Sequence, residues 1–302
     1  MSDTTTLGLT LPDVTHHRAE LGGAELHYVA AGASGSPVLL VHGWPETWWA
    51  FRGLIPLLAA SHRVHAVDLR GFGASSKDPR ATYGEAASAE DLHRLVAHLD
   101  VGPVHLLCQD ISGGLAVAFA AQHPDDVLSL TGVETTLAGY GLERLADVNH
   151  GGSWHVGFLG APGIPELLLG GHERDLLGWA YDVMGATPES VTPADLDEFV
   201  GAYSGPDAWH GTSGLYRDLF TDAGRTRALL TDKPLTMPVL AVDGPSHPLT
   251  ADTLRQVAAG DFAEARIEGV GHLVAQQAPT ELAEIVLGFL AGVRNAPVTQ
   301  RG

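Results

Sequence analysis

The stretch Val104-His-Leu-Leu-Cys-Gln-Asp-Ile-Ser-Gly-Gly114 decides how this chain is read: an apolar strand runs through Gln109-Asp110-Ile111 straight into the small-residue, helix-forming run Gly113 to Gln122. This spacing places Asp110 on the turn between them. A carboxylate at a strand tip, with a helix N-terminus behind it, stays ionised because the helix dipole and free backbone N–H groups favour negative charge there. Such an oxygen can serve as a nucleophile. Cys108 and Ser112, two positions either side, stand where G-x-S-x-G has its glycines, and small residues there permit the sharp turn. Two other readings stay open on the same residues: Asp110 as an ordinary helix N-cap, and Ser112 as the nucleophile of a serine elbow with Asp110 in the first glycine position.

Outward from this stretch, strands and helices alternate. His17 to Leu21 and Glu25 to Ala30 alternate apolar and polar residues across Gly22-Gly23, which predicts a β-hairpin. Pro37 to Val41 is an unbroken apolar run, the pattern of a strand buried on both faces, and it ends in His42-Gly43-Trp44-Pro45. Thr47 to Ala60 has helical spacing, Val64 to Asp68 is a strand, Tyr83 to Leu99 a helix, and Val127 to Val133 a strand that stops at Glu134. The loop Leu69 to Ser75 is glycine-rich without a lysine placed to hold phosphate. Pro238 to Val242 and Ala263 to Ile267 are the last strands, with helices over Thr250 to Ala259 and Pro279 to Val293. Such alternation implies a parallel sheet whose functional groups collect beyond the strands' carboxyl ends. Between Gly139 and Asp232 the rhythm changes to short helical runs, His172 to Met184 and Pro193 to Ala202 among them, which predicts a helical cap at 139–232 inserted in a core of 1–138 and 233–302.

The 302 residues contain 17 Lys and Arg against 36 Asp and Glu, a formal charge of −19, which opposes nucleic acid and anionic membranes as partners. No apolar run approaches a membrane span. The single Cys108 excludes an internal disulfide, and the polar start Met1 to Leu7 lacks the regions of a secretory signal, so a cytoplasmic location is expected. The 16 histidines are scattered with no HExxH or paired Cys/His spacing, so neither metal nor cofactor is expected.

Four motifs, HGWP at 42–45, DLRGFGAS at 68–75, CQDISGG at 108–114 and GVGH at 269–272, occur in the order found in the α/β-hydrolase fold. Over nearly its whole length the chain resembles the members that use an aspartate nucleophile, the epoxide hydrolases and haloalkane dehalogenases. The resemblance implies a mostly parallel eight-stranded sheet flanked by helices, with Asp110 as nucleophile and His272 as the base that activates water. It implies an orienting acid at Glu134, 24 residues after Asp110, or at Asp243, where other relatives place it. It also implies an oxyanion hole from the backbone N–H groups of Trp44 and Ile111. A carboxylate that attacks an sp3 carbon forms an ester, which activated water must then cleave.

By the same resemblance, an epoxide oxygen takes its proton from Tyr216 and His155 in the cap, with Tyr203 and Tyr181 as substitutes. Dehalogenases resembling this chain place Trp after the nucleophile and Asn in the HG-x-P turn, where this sequence has Ile111 and Trp44; fluoroacetate-type enzymes have arginines where this chain has Ile111 and Gly114. Cys108 and Gln109 depart from the usual Gly and His before the nucleophile. Trp44, Trp154, Ile111 and Tyr203 are expected to wall an apolar pocket. The expected activity is hydrolysis of a small apolar or aromatic epoxide to a vicinal diol, with water as co-substrate and a homodimer left open. The alternatives are a dehalogenase or ester hydrolase built on the same site, and a binding protein that keeps the fold without turnover.

Overall fold

A computed structural model describes residues 8–205, 207–221, 223–244 and 249–295. The polar start Met1 to Leu7 lies outside them. In chain order come β1 (Thr15–Glu20), β2 (Glu25–Ala31), β3 (Pro37–Val41), α1 (Ile55–Ala59), β4 (Arg63–Val67), α2 (Glu85–Leu99), β5 (Val104–Gln109), α3 (Ser112–Gln122) and β6 (Val127–Val133). Six helices follow: α4 (Trp154–Leu159), α5 (Ile164–Leu168), α6 (Glu173–Val183), α7 (Pro193–Tyr203), α8 (His210–Thr221) and α9 (Ala223–Asp232). The chain closes with β7 (Val239–Asp243), α10 (Leu249–Arg255), β8 (Phe262–Arg266), α11 (Val274–Gln277) and α12 (Pro279–Asn295).

The strands form one eight-stranded sheet in the order β1-β2-β4-β3-β5-β6-β7-β8. Only the β1–β2 and β2–β4 pairs are antiparallel. The remaining pairs are parallel, and the central strands β3 and β5 are buried along their whole length. Helices on the two faces keep water from such strands, which is why β3 reads as an unbroken apolar run and β5 as a mainly apolar one, with the His105 imidazole bonded to Ser129 Oγ at 2.8 Å. The fold class therefore agrees with the expectation from sequence.

Several boundaries moved for local reasons. The helix expected over Thr47 to Ala60 is broken into a 3-10 turn at Trp48–Phe51 and α1. Thr47 does cap the first piece, accepting from Trp49 N at 3.2 Å, but Trp48, Trp49, Ala50 and Phe51 are all buried, which one straight helix with a single apolar stripe cannot achieve. α2 starts at Glu85, not Tyr83, because Gly84 before it has φ 131°, a conformation closed to residues with a side chain. α10 stops at Arg255 because the N–H groups of Ala259 and Gly260 bond to the Leu235 carbonyl instead.

Between β6 and β7 the described residues contain no strand. This helical layer is tied to the loop after β3 by buried polar contacts. Trp49 Nε1 donates to Asp195 Oδ1 at 2.7 Å, Arg52 Nε pairs with the same carboxylate at 2.9 Å, and Tyr181 Oη donates to the Pro45 carbonyl at 2.8 Å. Because β3, β5 and β6 are parallel, His42, Asp110 and Glu134 all emerge at one edge, beneath that layer. No helix among the described residues is long and apolar enough to cross a membrane.

His65 in β4 is only 9% exposed and neither ring nitrogen has a hydrogen-bond partner among the described residues; burial, with the nearby Arg63 charge, pushes it down to about 4. The unfolded chain therefore binds a proton that the folded chain refuses between about pH 6.5 and 4, so this group removes stability as pH falls through that window. His65→Leu is expected to lessen the acid-side loss by roughly 1 kcal/mol per pH unit, read from urea denaturation at pH 7, 6 and 5.

Candidate active site

The turn after β5 holds Asp110 at φ 56°, in the left-handed region, before α3 begins at Ser112. Such a backbone costs a non-glycine residue about 1 kcal/mol or more and aims its side chain away from the strand. It is tolerated because Gly43 lies alongside: a Cβ there would come within 2.6 Å of Asp110 Cβ. Ser112 is fully buried, its hydroxyl 2.7 Å from the Gln109 carbonyl and 3.1 Å from that of Val41. The rival reading of Ser112 as a nucleophile fails on this point, for Asp110 carries the accessible oxygen of the turn.

Asp110 Oδ2 accepts from Trp44 N at 2.8 Å, and Ile111 N–H also faces the carboxylate. His272, in the loop after β8, approaches from the other side, with Nε2 3.2 Å from Asp110 Oδ1 and Nδ1 3.2 Å from Glu134 Oε2. Glu134 is itself held at φ 45°, and its other oxygen accepts from Gly244 N. The three side chains thus form one line, each about a fifth to a quarter exposed through the cavity above. Burial works against charge on both Asp110 and His272, but each stabilises the other. His272 together with the two backbone N–H groups holds Asp110 below the usual carboxylate value, while Asp110 and Glu134 push His272 up to about 10.

Asp243, the other acid that sequence left open, accepts instead from Thr250 N at 2.8 Å and Ala251 N at 3.0 Å, at the start of α10. Burial raises its pKa, with the Glu134 charge adding to the effect. It borders the cavity, but Glu134 is the carboxylate on His272.

A cavity of about 400 Å3 opens above Asp110, and His155, Tyr216 and Ile111 all line it. Burial pushes His155 down to about 4, so it is a neutral imidazole near pH 7; its Nδ1 lies 2.6 Å from Ser153 Oγ. Burial also raises Tyr216 well above the ordinary phenol, with the Asp110 charge adding to it, which keeps its O–H proton in place. Three expected wall residues are corrected. Trp44 is fully buried behind the wall, its ring stacked on His155 at 5.2 Å and edge-on to Tyr216 at 5.8 Å. Trp154 is 47% exposed and packs on Trp179 at 4.8 Å, outside the cavity. Tyr203 is buried against Trp209, its hydroxyl 3.5 Å from the Glu46 carbonyl. Aromatic residues at helical spacing bury as readily against each other as against a ligand. The walls that sequence reasoning missed include Thr135, Thr136, Leu142, Val183 and Met184.

Sequence reasoning also missed Glu46. Its fully buried carboxylate accepts from Gly43 N, Gln109 Nε2 and Gln276 Nε2, each at 2.9 Å, and so joins the loop after β3, the Asp110 turn and α11, which follows His272. Burial pushes it up to about 7, opposed by the Gly43 hydrogen bond.

A family model described as the alpha/beta hydrolase fold matches residues 36–151. The chain is 30% identical over 294 residues to the soluble epoxide hydrolase of Corynebacterium sp. strain C12, an alignment covering 93% of this chain and 99% of that one. The chain belongs to the α/β-hydrolase fold family. This α/β-hydrolase is also 30% identical to a fluoroacetate dehalogenase of Burkholderia sp., over 91% and 93% of the two chains. The solved epoxide hydrolase CorEH superposes with a TM-score of 0.81 at 28% identity, covering 93% of this chain and all of that one. The protein is a hydrolase by this kinship.

Replacing Glu46 by Ala leaves three buried donors without their acceptor. Each costs about 1–3 kcal/mol when unsatisfied, less what water recovers, so Glu46→Ala is expected to lower unfolding free energy by roughly 3 kcal/mol in urea denaturation at pH 7.5. Glu46→Gln, which keeps volume and one acceptor oxygen, is expected to lose less.

Proposed function

We propose that this hydrolase opens an apolar epoxide to a vicinal diol through an ester on Asp110, beneath residues 139–232 acting as a cap on a core of 1–138 and 233–302. The observation that carries the reading is the geometry around Asp110: one oxygen beside His272 and the cavity, the other held by backbone N–H. Oδ1 attacks an epoxide carbon, the C–O bond breaks, and the alkoxide takes the Tyr216 hydroxyl proton. In the tautomer whose Nδ1 accepts from Ser153, His155 offers Nε2–H as a second donor.

Ester formation removes the Asp110 charge, and with it one of the two carboxylates that hold His272 protonated. Its proton returns to Tyr216, and the neutral imidazole, oriented by Glu134, becomes a base for water. Water attacks Asp110 Cγ while Oδ2 carries the oxyanion against Trp44 and Ile111 N–H, donors worth about 3 kcal/mol each. Collapse releases the diol, which takes the proton from His272. The Asp110 carboxyl then gives up its own proton and the ion pair re-forms.

The cavity wall supports an uncharged substrate. Asp110, Glu134 and Asp243 border it, with no lysine or arginine among the described lining residues, so a substrate carboxylate would meet like charge. The Thr135 and Thr136 hydroxyls are spent on the Asp110 carbonyl and Thr253, which leaves mainly apolar contacts for the substituent.

Single turnover of styrene oxide with excess enzyme in heavy-oxygen water is expected to put label into Asp110, located by peptide mass spectrometry. Diol formation with Asp110 unlabelled would sink the ester route and favour direct attack by water. His272→Gln is expected to slow turnover by roughly 10²–10⁴-fold and to accumulate protein heavier by one substrate.

A further inference from the structure

Far from Asp110, three ligand-type side chains converge. His93 sits in the middle of α2, His123 is the residue that ends α3, and Asp126 closes the short turn that leads into β6. One ligand atom from each lies within 4.8 Å of the other two. His93 Nδ1 is already 2.6 Å from Asp126 Oδ2, and the two imidazole rings are stacked at 3.7 Å between centroids with planes 9° apart. We propose that His93, His123 and Asp126 form a three-ligand site for a borderline transition-metal ion such as Zn2+, Ni2+ or Cu2+.

Two imidazoles and a carboxylate suit these ions, with the remaining positions taken by water. The electrostatics favour a cation for a separate reason. His123 follows the last turn of α3, where unpaired carbonyls and the negative end of the helix dipole face outward. Glu90, one turn before His93 and paired with Arg94 at 2.8 Å, adds its charge, and Lys233 opposes it from another element.

Binding requires a small local change. The stacked rings must tilt so that one nitrogen of each points at the ion, and the Asp126–His93 hydrogen bond must give way to two metal bonds. All three side chains are part-exposed and can rotate. The elements that carry them are fixed, with Pro124 setting the turn between His123 and Asp126. The 11 residues of α3 separate the site from Asp110 by about 16 Å, so the ion takes no part in chemistry there. Its effect is to clamp α2 to the connection between α3 and β6, raising stability by mass action.

The test uses the full chain without a polyhistidine tag, stripped with EDTA and titrated with ZnCl2 by calorimetry, with Cu2+ electron paramagnetic resonance on the same protein. One equivalent of Zn2+ binding in the micromolar range, a raised melting temperature, and a Cu2+ spectrum with two nitrogen ligands are expected. His93→Gln and His123→Gln should each weaken binding about tenfold or more and leave one nitrogen; Asp126→Asn should weaken it too, and His16→Gln should change nothing. Absence of a saturable equivalent, or unchanged affinity in folded His93→Gln and His123→Gln, overturns the proposal. If either variant fails to fold, the nitrogen count in the wild-type spectrum decides alone.

Discussion

Everything at this site turns on one imidazole held between two carboxylates. His272 bridges Asp110 and Glu134 at 3.2 Å on each side, and the three residues come from turns after β5, β6 and β8. Desolvation alone would strip the charge from the imidazole. The two anions reverse that, so the resting state is an ion pair whose balance depends on both partners staying charged. Loss of the charge on either partner would therefore lower the proton affinity of His272 without any movement of the chain.

That line of charges needs a rigid bed, and Glu46 supplies it from beneath. Its carboxylate gathers one donor from each of three segments that are far apart in sequence: Gly43 N–H, Gln109 and Gln276. Such a buried acceptor is stabilising only while every donor is present, because a half-satisfied polar cluster in low dielectric costs more than an apolar one. Gln109 brings an amide that donates to Glu46 through Nε2 and accepts from Ala275 N through Oε1. One side chain thereby fixes both the turn before Asp110 and the segment after His272.

The helical layer completes the cavity from above and also anchors His272. Met184, at the end of α6, accepts from His272 N at 2.9 Å, and Gln277 reaches the Gly185 carbonyl. His155 and Tyr216 line the cavity above Asp110, as uncharged donors over a charged floor. The same layer buries Trp44 behind His155, so the tryptophan of the HGWP motif supports the wall instead of forming it.

Local chemistry made much of this legible in the sequence. The buried strands β3, β5 and β7 show as mainly apolar runs because water reaches neither face, and Asp110, Glu134 and His272 could be named because each stands at a strand end or in a motif with a recognisable pattern. What sequence could not resolve were choices made between residues distant along the chain. Glu134 and Asp243 are equivalent as acids at strand ends; the preference for Glu134 arises because the Asp243 carboxylate is occupied by the first N–H groups of α10. Trp44, Trp154 and Tyr203 all suit a pocket wall by type, and only packing puts one behind it, one outside and one beneath. Glu46 and the His93–His123–Asp126 group left no local trace, since periodicity reports what a residue does within its own element, whereas a hydrogen bond or a ligand cluster exists only once separate elements have been brought together.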